Sequence, residues 1–229
     1  MAQALAAGHR VISVDLPGHG HSPPLPDDAY TLERLAAAVA AVLPPHSCVI
    51  GWSLGGMVAL YLAAHFPDRV DRLILIASTP QFVAGPDWEH GLAPEVLEGF
   101  AARLRADPAG TAQRFLALQV RGSEHERDTL VRLRSLLSAA PPPHPAALEG
   151  GLAILRETSL LPLLDRITQP VTVIHGQRDT LIPWTAAREL QSRLRQARLH
   201  VLPGAAHAPF LSHTDEFMHL IDGALHGHG

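Results

Sequence analysis

The run Ser47-Cys48-Val49-Ile50, followed by Gly51-Trp52-Ser53-Leu54-Gly55-Gly56 and then by Met57-Val58-Ala59-Leu60, decides the fold. Ser47 to Ile50 reads as a strand and Gly55 to His65 as a helix, so the pattern Gly-x-Ser-x-Gly sits on the turn between them. Such a turn presses backbone against backbone. Small residues must therefore flank the serine, whose hydroxyl is held up at the carboxyl end of the strand. The N–H groups opening the helix point to the same place and can stabilise an oxyanion. A glycine-rich turn on its own would carry no chemistry; the strand before it and the helix after it make this one a nucleophile elbow.

The same alternation extends outward. Arg10 to Leu16 (RVISVDL) is a short β-branched run ending in Pro-Gly-His-Gly, which predicts a buried strand entering a loop. Thr31 to Leu43 predicts a helix with Thr31 as N-cap and Glu33 in its first turn, and Arg72 to Ala77 (RLILIA) predicts a further strand. Continuous apolar strands alternating with helices specify a mostly parallel sheet covered on both faces, an α/β fold. From Gln81 to about Leu160 the strand signal stops. Helices are predicted near Pro94 to Arg105, Thr111 to Val120, Glu124 to Ser138 and Pro145 to Arg156, separated by Asp107-Pro108, Gly122 and the prolines 141–143. In the first of them Val96, Leu97, Phe100 and Leu104 form the apolar stripe. Alternation resumes with a strand at Val171 to His175, a helix from Trp184 to Arg195, a strand at Arg198 to Leu202 and a helix near Asp215 to Ala224. Residues 1–80 and 161–229 thus read as the two parts of one core, and 81–160 as a helical insertion.

A serine is a weak nucleophile until a base takes its proton, and that base needs a third group to orient it. With the elbow serine first, the chain order is serine, acid, histidine. The strand Val171 to His175 runs into Gly176-Gln177-Arg178-Asp179, and the next strand runs into Pro203-Gly204-Ala205-Ala206-His207. Both loops leave the carboxyl edge of a parallel sheet, the edge that carries Ser53 and the one where ligands gather in such sheets. Among 15 histidines, His213 and His219 lie in or beside the last helix, His200 lies within a strand, and His175 precedes its turn. His207 alone follows the last strand. Asp165 precedes its strand and Asp215 opens a helix, leaving Asp179 as the acid.

Composition narrows the rest. The chain has 229 residues, 47% hydrophobic and 17% charged, which places it far from disordered sequences. A net charge of −4 gives no global attraction to nucleic acid or anionic lipid. All 18 basic residues are arginine, which removes lysine-dependent mechanisms. Cys48, the single cysteine, reads as a small apolar strand residue. The first ten residues lack the pattern of a signal peptide, and no run approaches the ~20 apolar residues of a membrane span, so a cytoplasmic protein is expected. His19 with His21, and His226 with His228, have the spacing of metal-ligand pairs but no carboxylate or cysteine at ligand spacing; they read as loop and tail histidines, with no metal expected. No phosphate-binding loop is present, and Gly18-His19-Gly20 lacks the remainder of a dinucleotide fingerprint, so no cofactor is expected.

The chain resembles the α/β-hydrolase fold over its whole length. Within that fold it is similar to the pimeloyl-[acyl-carrier protein] methyl ester esterases of biotin synthesis. The likeness rests on VDLPGHGHS (Val14 to Ser22), GWSLGGMVA (Gly51 to Ala59), RFLALQ (Arg114 to Gln119), GGLAIL (Gly150 to Leu155) and AAHAPFLSH (Ala205 to His213). It implies a triad of Ser53, Asp179 and His207, with the Leu54 N–H as an oxyanion donor. Trp52 is expected beside the substrate, with Phe115, Leu116, Ala117, Leu118 and Gln119 lining the acyl pocket. The resemblance also implies a helical lid whose arginines, here Arg114 and Arg127, dock an acidic acyl-carrier protein; two further lid arginines of the family fall on Gly110 and Val131, with Arg132 beside the second. A monomer is expected. Measured against that family, the chain opens at what reads as the tail of the first helix, without the first strands and the HGW-like loop that gives a second oxyanion donor, and a start placed too late is expected. A hydrolase of small free esters or of carbon–carbon bonds, and an inactive chain that only binds, remain open on the sequence.

Overall fold

Four strands carry the core: β1 (Ser47–Trp52), β2 (Val70–Ile76), β3 (Val171–Gly176) and β4 (Ala197–Leu202). They are all parallel, in the order β1-β2-β3-β4, in a computed structural model that describes residues 1–26 and 29–227. His228 lies outside the described residues. The registers Trp52 with Ile76, Ile76 with Ile174, and Gly176 with Leu202 bring the carboxyl ends of all four strands to one edge. Every loop leaving that edge starts within a few residues of its neighbours, and this is what positions the site.

Strand side chains alternate between two apolar layers, as the two-residue period of a strand requires. Leu73, Leu75, Val171 and Val173 face one layer with α2 (Leu32–Val42), α3 (Leu54–His65) and α8 (Trp184–Arg193). Ile74, Ile76 and Ile174 face the other, where α10 (Thr214–His226) contributes Phe217, Ile221 and Ala224. Helix α2 opens on the expected cap, Thr31 Oγ1 accepting from Arg34 N at 3.3 Å. The one-turn α1 (Ala2–Leu5) precedes the first loop, and α9 (Pro209–Ser212) precedes α10.

Between β2 and β3 the chain forms α4 (Pro94–Ala106), α5 (Pro108–Val120), α6 (Glu126–Ser138) and α7 (Pro145–Glu157). Helix α5 packs between α4 and α6, with α7 closing back on α4 and α6 resting on α9. Entry and exit of the segment are tied together by an antiparallel bridge between Gln81 and Ser159 and by Leu160 N donating to Pro80 O at 2.9 Å. In α4 the buried stripe is Leu97, Ala101 and Leu104, whereas Val96 is 52% exposed. The expected stripe therefore holds at Leu97 and Leu104, with Phe100 half-buried, and fails at Val96.

One expected strand does not form. Arg10 to Leu16 runs without strand pairing among the described residues, with Val11, Ile12 and Val14 exposed. A β-branched run predisposes to extended backbone, but a strand exists only through a ladder with a neighbour. Here the segment is tied down only at its end, where Ser22 Oγ donates to Asp15 O and His21 N to Asp15 Oδ2.

Candidate active site

Ser53 stands between β1 and α3 with φ 53° and ψ −120°, a backbone conformation costly for any residue with a side chain. The strain is held by tight neighbours. Ser53 N donates to Ile76 O at 3.0 Å, and the buried Ser78 hydroxyl donates to Ser53 O at 2.9 Å. A side chain at Gly51 would collide with the Gly55 and Gly56 backbone, and one at Gly56 with the Ser78 side chain, so the close approach admits only glycine at both. Leu54 is the first residue of α3, so its N–H is among those that open a helix without an intrahelical acceptor.

Asp179 and His207, 28 residues apart, meet at that edge. His207 Nδ1 lies 2.7 Å from Asp179 Oδ2, and neither side chain is exposed. The carboxylate is fixed from its other oxygen as well, since Leu181 N and Ile182 N donate to Asp179 Oδ1 at 2.8 and 3.0 Å. Burial alone would push the Asp179 carboxyl up; the facing His207 and the hydrogen bonds from His175 and His207 outweigh it and hold the group well below the ordinary carboxylate range. Asp179 is thus a fixed anion. Its bond fixes the His207 tautomer, with the proton on Nδ1. His207 Nε2, the nitrogen turned away from Asp179, is buried and has no hydrogen-bond partner among the described residues.

The His207 loop is held from two sides. His207 N donates to Gln119 O at 3.1 Å, which ties it to the end of α5, and Trp52 Nε1 donates to His207 O at 2.8 Å. The Trp52 ring also lies against His207 and, edge-on, against Phe210.

The run Phe115 to Gln119 does not act as one lining. Successive helical residues turn by about 100°, so five in a row cannot share a face. Leu116, Gln119 and Val120 point inward, Leu116 and Val120 packing with Leu133, Ala208, Leu211 and Trp52. Phe115 sits at the flank against Phe100, with ring centroids 5.3 Å apart. Ala117 and Leu118 face the opposite way, into an open groove of about 540 Å³ between α4 and α5. Arg103, Arg114 and Arg121 rim it, with Phe100, Thr111 and Glu126 completing the wall. Arg127 lies outside this groove, and Arg132 is engaged elsewhere, donating to Leu211 O at 2.7 Å.

The sequence profile of the alpha/beta hydrolase fold matches residues 1–214. The chain belongs to the α/β-hydrolase family. Its relatives include pimeloyl-[acyl-carrier protein] methyl ester esterases from Aeromonas hydrophila, 44% identical over 219 residues that cover 96% of this chain and 86% of the relative, and from Nitrosomonas europaea, 41% identical with 97% and 87% covered. A solved hydrolase from Pseudomonas aeruginosa superposes with a TM-score of 0.72 at 32% identity, over 92% of this chain and 76% of that one. An esterase from Exiguobacterium antarcticum reaches 0.86 at 23% identity, over 96% and 83%, a likeness of fold alone. Among the residues of this hydrolase, sequence reasoning passed over three that the structure brings forward. Arg103 and Arg121 needed the packing of α4 on α5 to be seen together, although Arg114 and Arg121 stand seven apart on one face; His175, set aside as a base because it precedes its turn, packs against the Asp179 carboxylate.

Proposed function

We propose that this α/β-hydrolase is a serine carboxylesterase that hydrolyses the methyl ester of pimeloyl-acyl-carrier protein in biotin synthesis, using Ser53, His207 and Asp179. The reading rests above all on the relatives at about 40% identity over nearly the whole chain that bear this name. Ser53 Oγ attacks the ester carbonyl as His207 Nε2 takes its proton. Negative charge gathers on the former carbonyl oxygen, opposite the Leu54 N–H. His207 then returns the proton to the departing methoxide, and methanol leaves an acyl-serine. Water, deprotonated by the same imidazole, attacks the acyl carbonyl; the proton passes back to Ser53, and the free acid departs and ionises in solvent. Asp179 stays ionised throughout, orienting the imidazole and stabilising its cation.

On this reading residues 81–160 form a lid, Trp52, Leu116 and Gln119 border the acyl chain on the inner face of α5, and Phe115 stands at its edge. Ala117 and Leu118 belong to the outer groove. There Arg114, with Arg103 and Arg121, offers three guanidinium groups to an acidic carrier protein, and Arg127 extends the basic surface. No helix among the described residues is long and apolar enough to cross a membrane, and a cytoplasmic monomer fits a carrier that diffuses to the enzyme. The test compares the carrier-bound methyl ester with a small p-nitrophenyl ester. Ser53→Ala abolishes both reactions and fluorophosphonate labelling. Rising salt, and the triple change of Arg103, Arg114 and Arg121 to Ala, slow the carrier-bound reaction while leaving the small ester unaffected. Equal loss on both substrates refutes the docking role, and turnover by Ser53→Ala refutes the nucleophile.

A further inference from the structure

Asp179 has a second imidazole. His175 ends the interior of β3 and is completely buried. Its Nε2 lies 2.8 Å from Ile182 O and 3.3 Å from Asp179 Oδ2, the same oxygen that faces His207. A carbonyl oxygen can only accept, so Nε2 carries a proton; that N–H is given to Ile182 O, and its positive edge lies 3.3 Å from the carboxylate oxygen. Ile182 closes a ring of contacts, since its own N–H donates to Asp179 Oδ1. Asp179 thus takes three hydrogen bonds, two on Oδ1 from Leu181 and Ile182 and one on Oδ2 from His207, with the His175 N–H beside Oδ2 as a fourth, electrostatic neighbour. A carboxylate gripped on both oxygens, with a positive N–H edge beside the second, has little freedom to rotate toward another partner.

We infer that His175 is a positioning residue of the triad. Its Nε2–H, anchored on Ile182 O with its positive edge 3.3 Å from Asp179 Oδ2, keeps that oxygen in line with His207 Nδ1 and, by attracting part of its charge, tempers how strongly Asp179 favours protonated His207. The inference rests on the triad reading above. The titratable groups facing Asp179 are His175 from β3 and His207 from the loop after β4, so a change at His175 reaches the base through this one carboxylate. Without the N–H, charge concentrates on the oxygen facing His207, the imidazolium gains stability, and the base is protonated at higher pH.

The experiment is the pH profile of kcat/KM on a p-nitrophenyl ester, normalised to fluorophosphonate-labelled Ser53 so that only folded sites count. His175→Leu removes the donor, His175→Asn keeps a polar group but withdraws its N–H from the Nε2 position, and His175→Gln places an amide N–H near where Nε2 stood. In the Leu and Asn variants the acid limb moves up by roughly half a unit and the plateau falls about tenfold, while Gln recovers most of both. If Leu does not fold, the Asn and Gln pair carries the comparison. An acid limb that stays at its wild-type position in Leu or Asn, whatever the plateau does, overturns the inference and leaves His175 as a pin for the Ile182 loop. Failure of the triad reading looks different: Asp179→Asn or His207→Gln would then retain turnover.

Discussion

Replacing Asp179 by Asn changes one atom and, by the hydrogen-bond pattern, should disable the base. Leu181 N and Ile182 N both donate to Oδ1, so the amide oxygen must take that place. The NH2 group then occupies the Oδ2 position, 2.7 Å from His207 Nδ1 and 3.3 Å from His175 Nε2. Facing an amide donor, His207 must present a bare Nδ1 and move its proton to Nε2. That is the nitrogen required to accept the proton of Ser53, so the imidazole is held in the wrong tautomer. The second amide hydrogen meets the His175 N–H, donor against donor. The loss of a correctly oriented, charge-stabilised base in such a triad costs ~10⁴ in turnover, about 5 kcal/mol of barrier. The assay is p-nitrophenyl ester hydrolysis under single-turnover and steady-state conditions, with circular dichroism to verify folding. Labelling by fluorophosphonate should slow by a similar factor, because it needs the same base. A folded Asp179→Asn protein with turnover within tenfold of the parent would refute the assignment of Asp179 as the orienting acid.

Two further predictions concern the elbow and the thiol. Gly56→Ala drives a methyl group into Ser78, whose hydroxyl holds Ser53 O, and should lower Tm by roughly 2 to 12 °C and depress turnover. Gly55→Ala next to it, where a Cβ meets nothing within 4 Å, should leave both near the parent; equal behaviour of the two variants in a thermal melt with an activity assay would contradict the close-packing account. Burial pushes the Cys48 thiol up to about 11, against a smaller opposing effect of Arg72. At pH 8 only about one molecule in a thousand then carries the thiolate, so iodoacetamide should alkylate Cys48 very slowly and without loss of activity, followed by mass spectrometry.

What could be read from the chain divides along the range of the interactions involved. The elbow was legible because strand, glycine turn and helix are consecutive, each signalled within a few residues of Ser53. Asp179 and His207 were legible because a parallel sheet delivers every strand's outgoing loop to one edge, so position after a strand substitutes for knowledge of distance. Arg10 to Leu16 failed for the converse reason: its β-branched side chains favour extension, while pairing is decided by what lies alongside. The run RFLALQ was treated as one lining, although the helical period already separates Leu116 and Gln119 from Ala117 and Leu118. His175 was invisible in its role because strand burial and a contact with Asp179 leave the same mark on the sequence. Only the path of the loop through Ile182 tells them apart.

The arginine groove and the histidine-flanked carboxylate answer to different variables. Guanidinium groups keep their charge at every pH at which the protein folds, and with no lysine in the chain no titrating amine joins them on the groove. Around neutral pH, where the Glu126 carboxylate in the wall also keeps its charge, the attraction proposed for an acidic partner is therefore insensitive to pH and tunable by ionic strength. Asp179 and its two imidazoles are sealed from solvent, where mobile ions do not reach and only proton activity acts. Salt and pH become independent coordinates of one enzyme, so that a grid of rates over both should factor into a product of two curves, one describing arrival and the other describing chemistry.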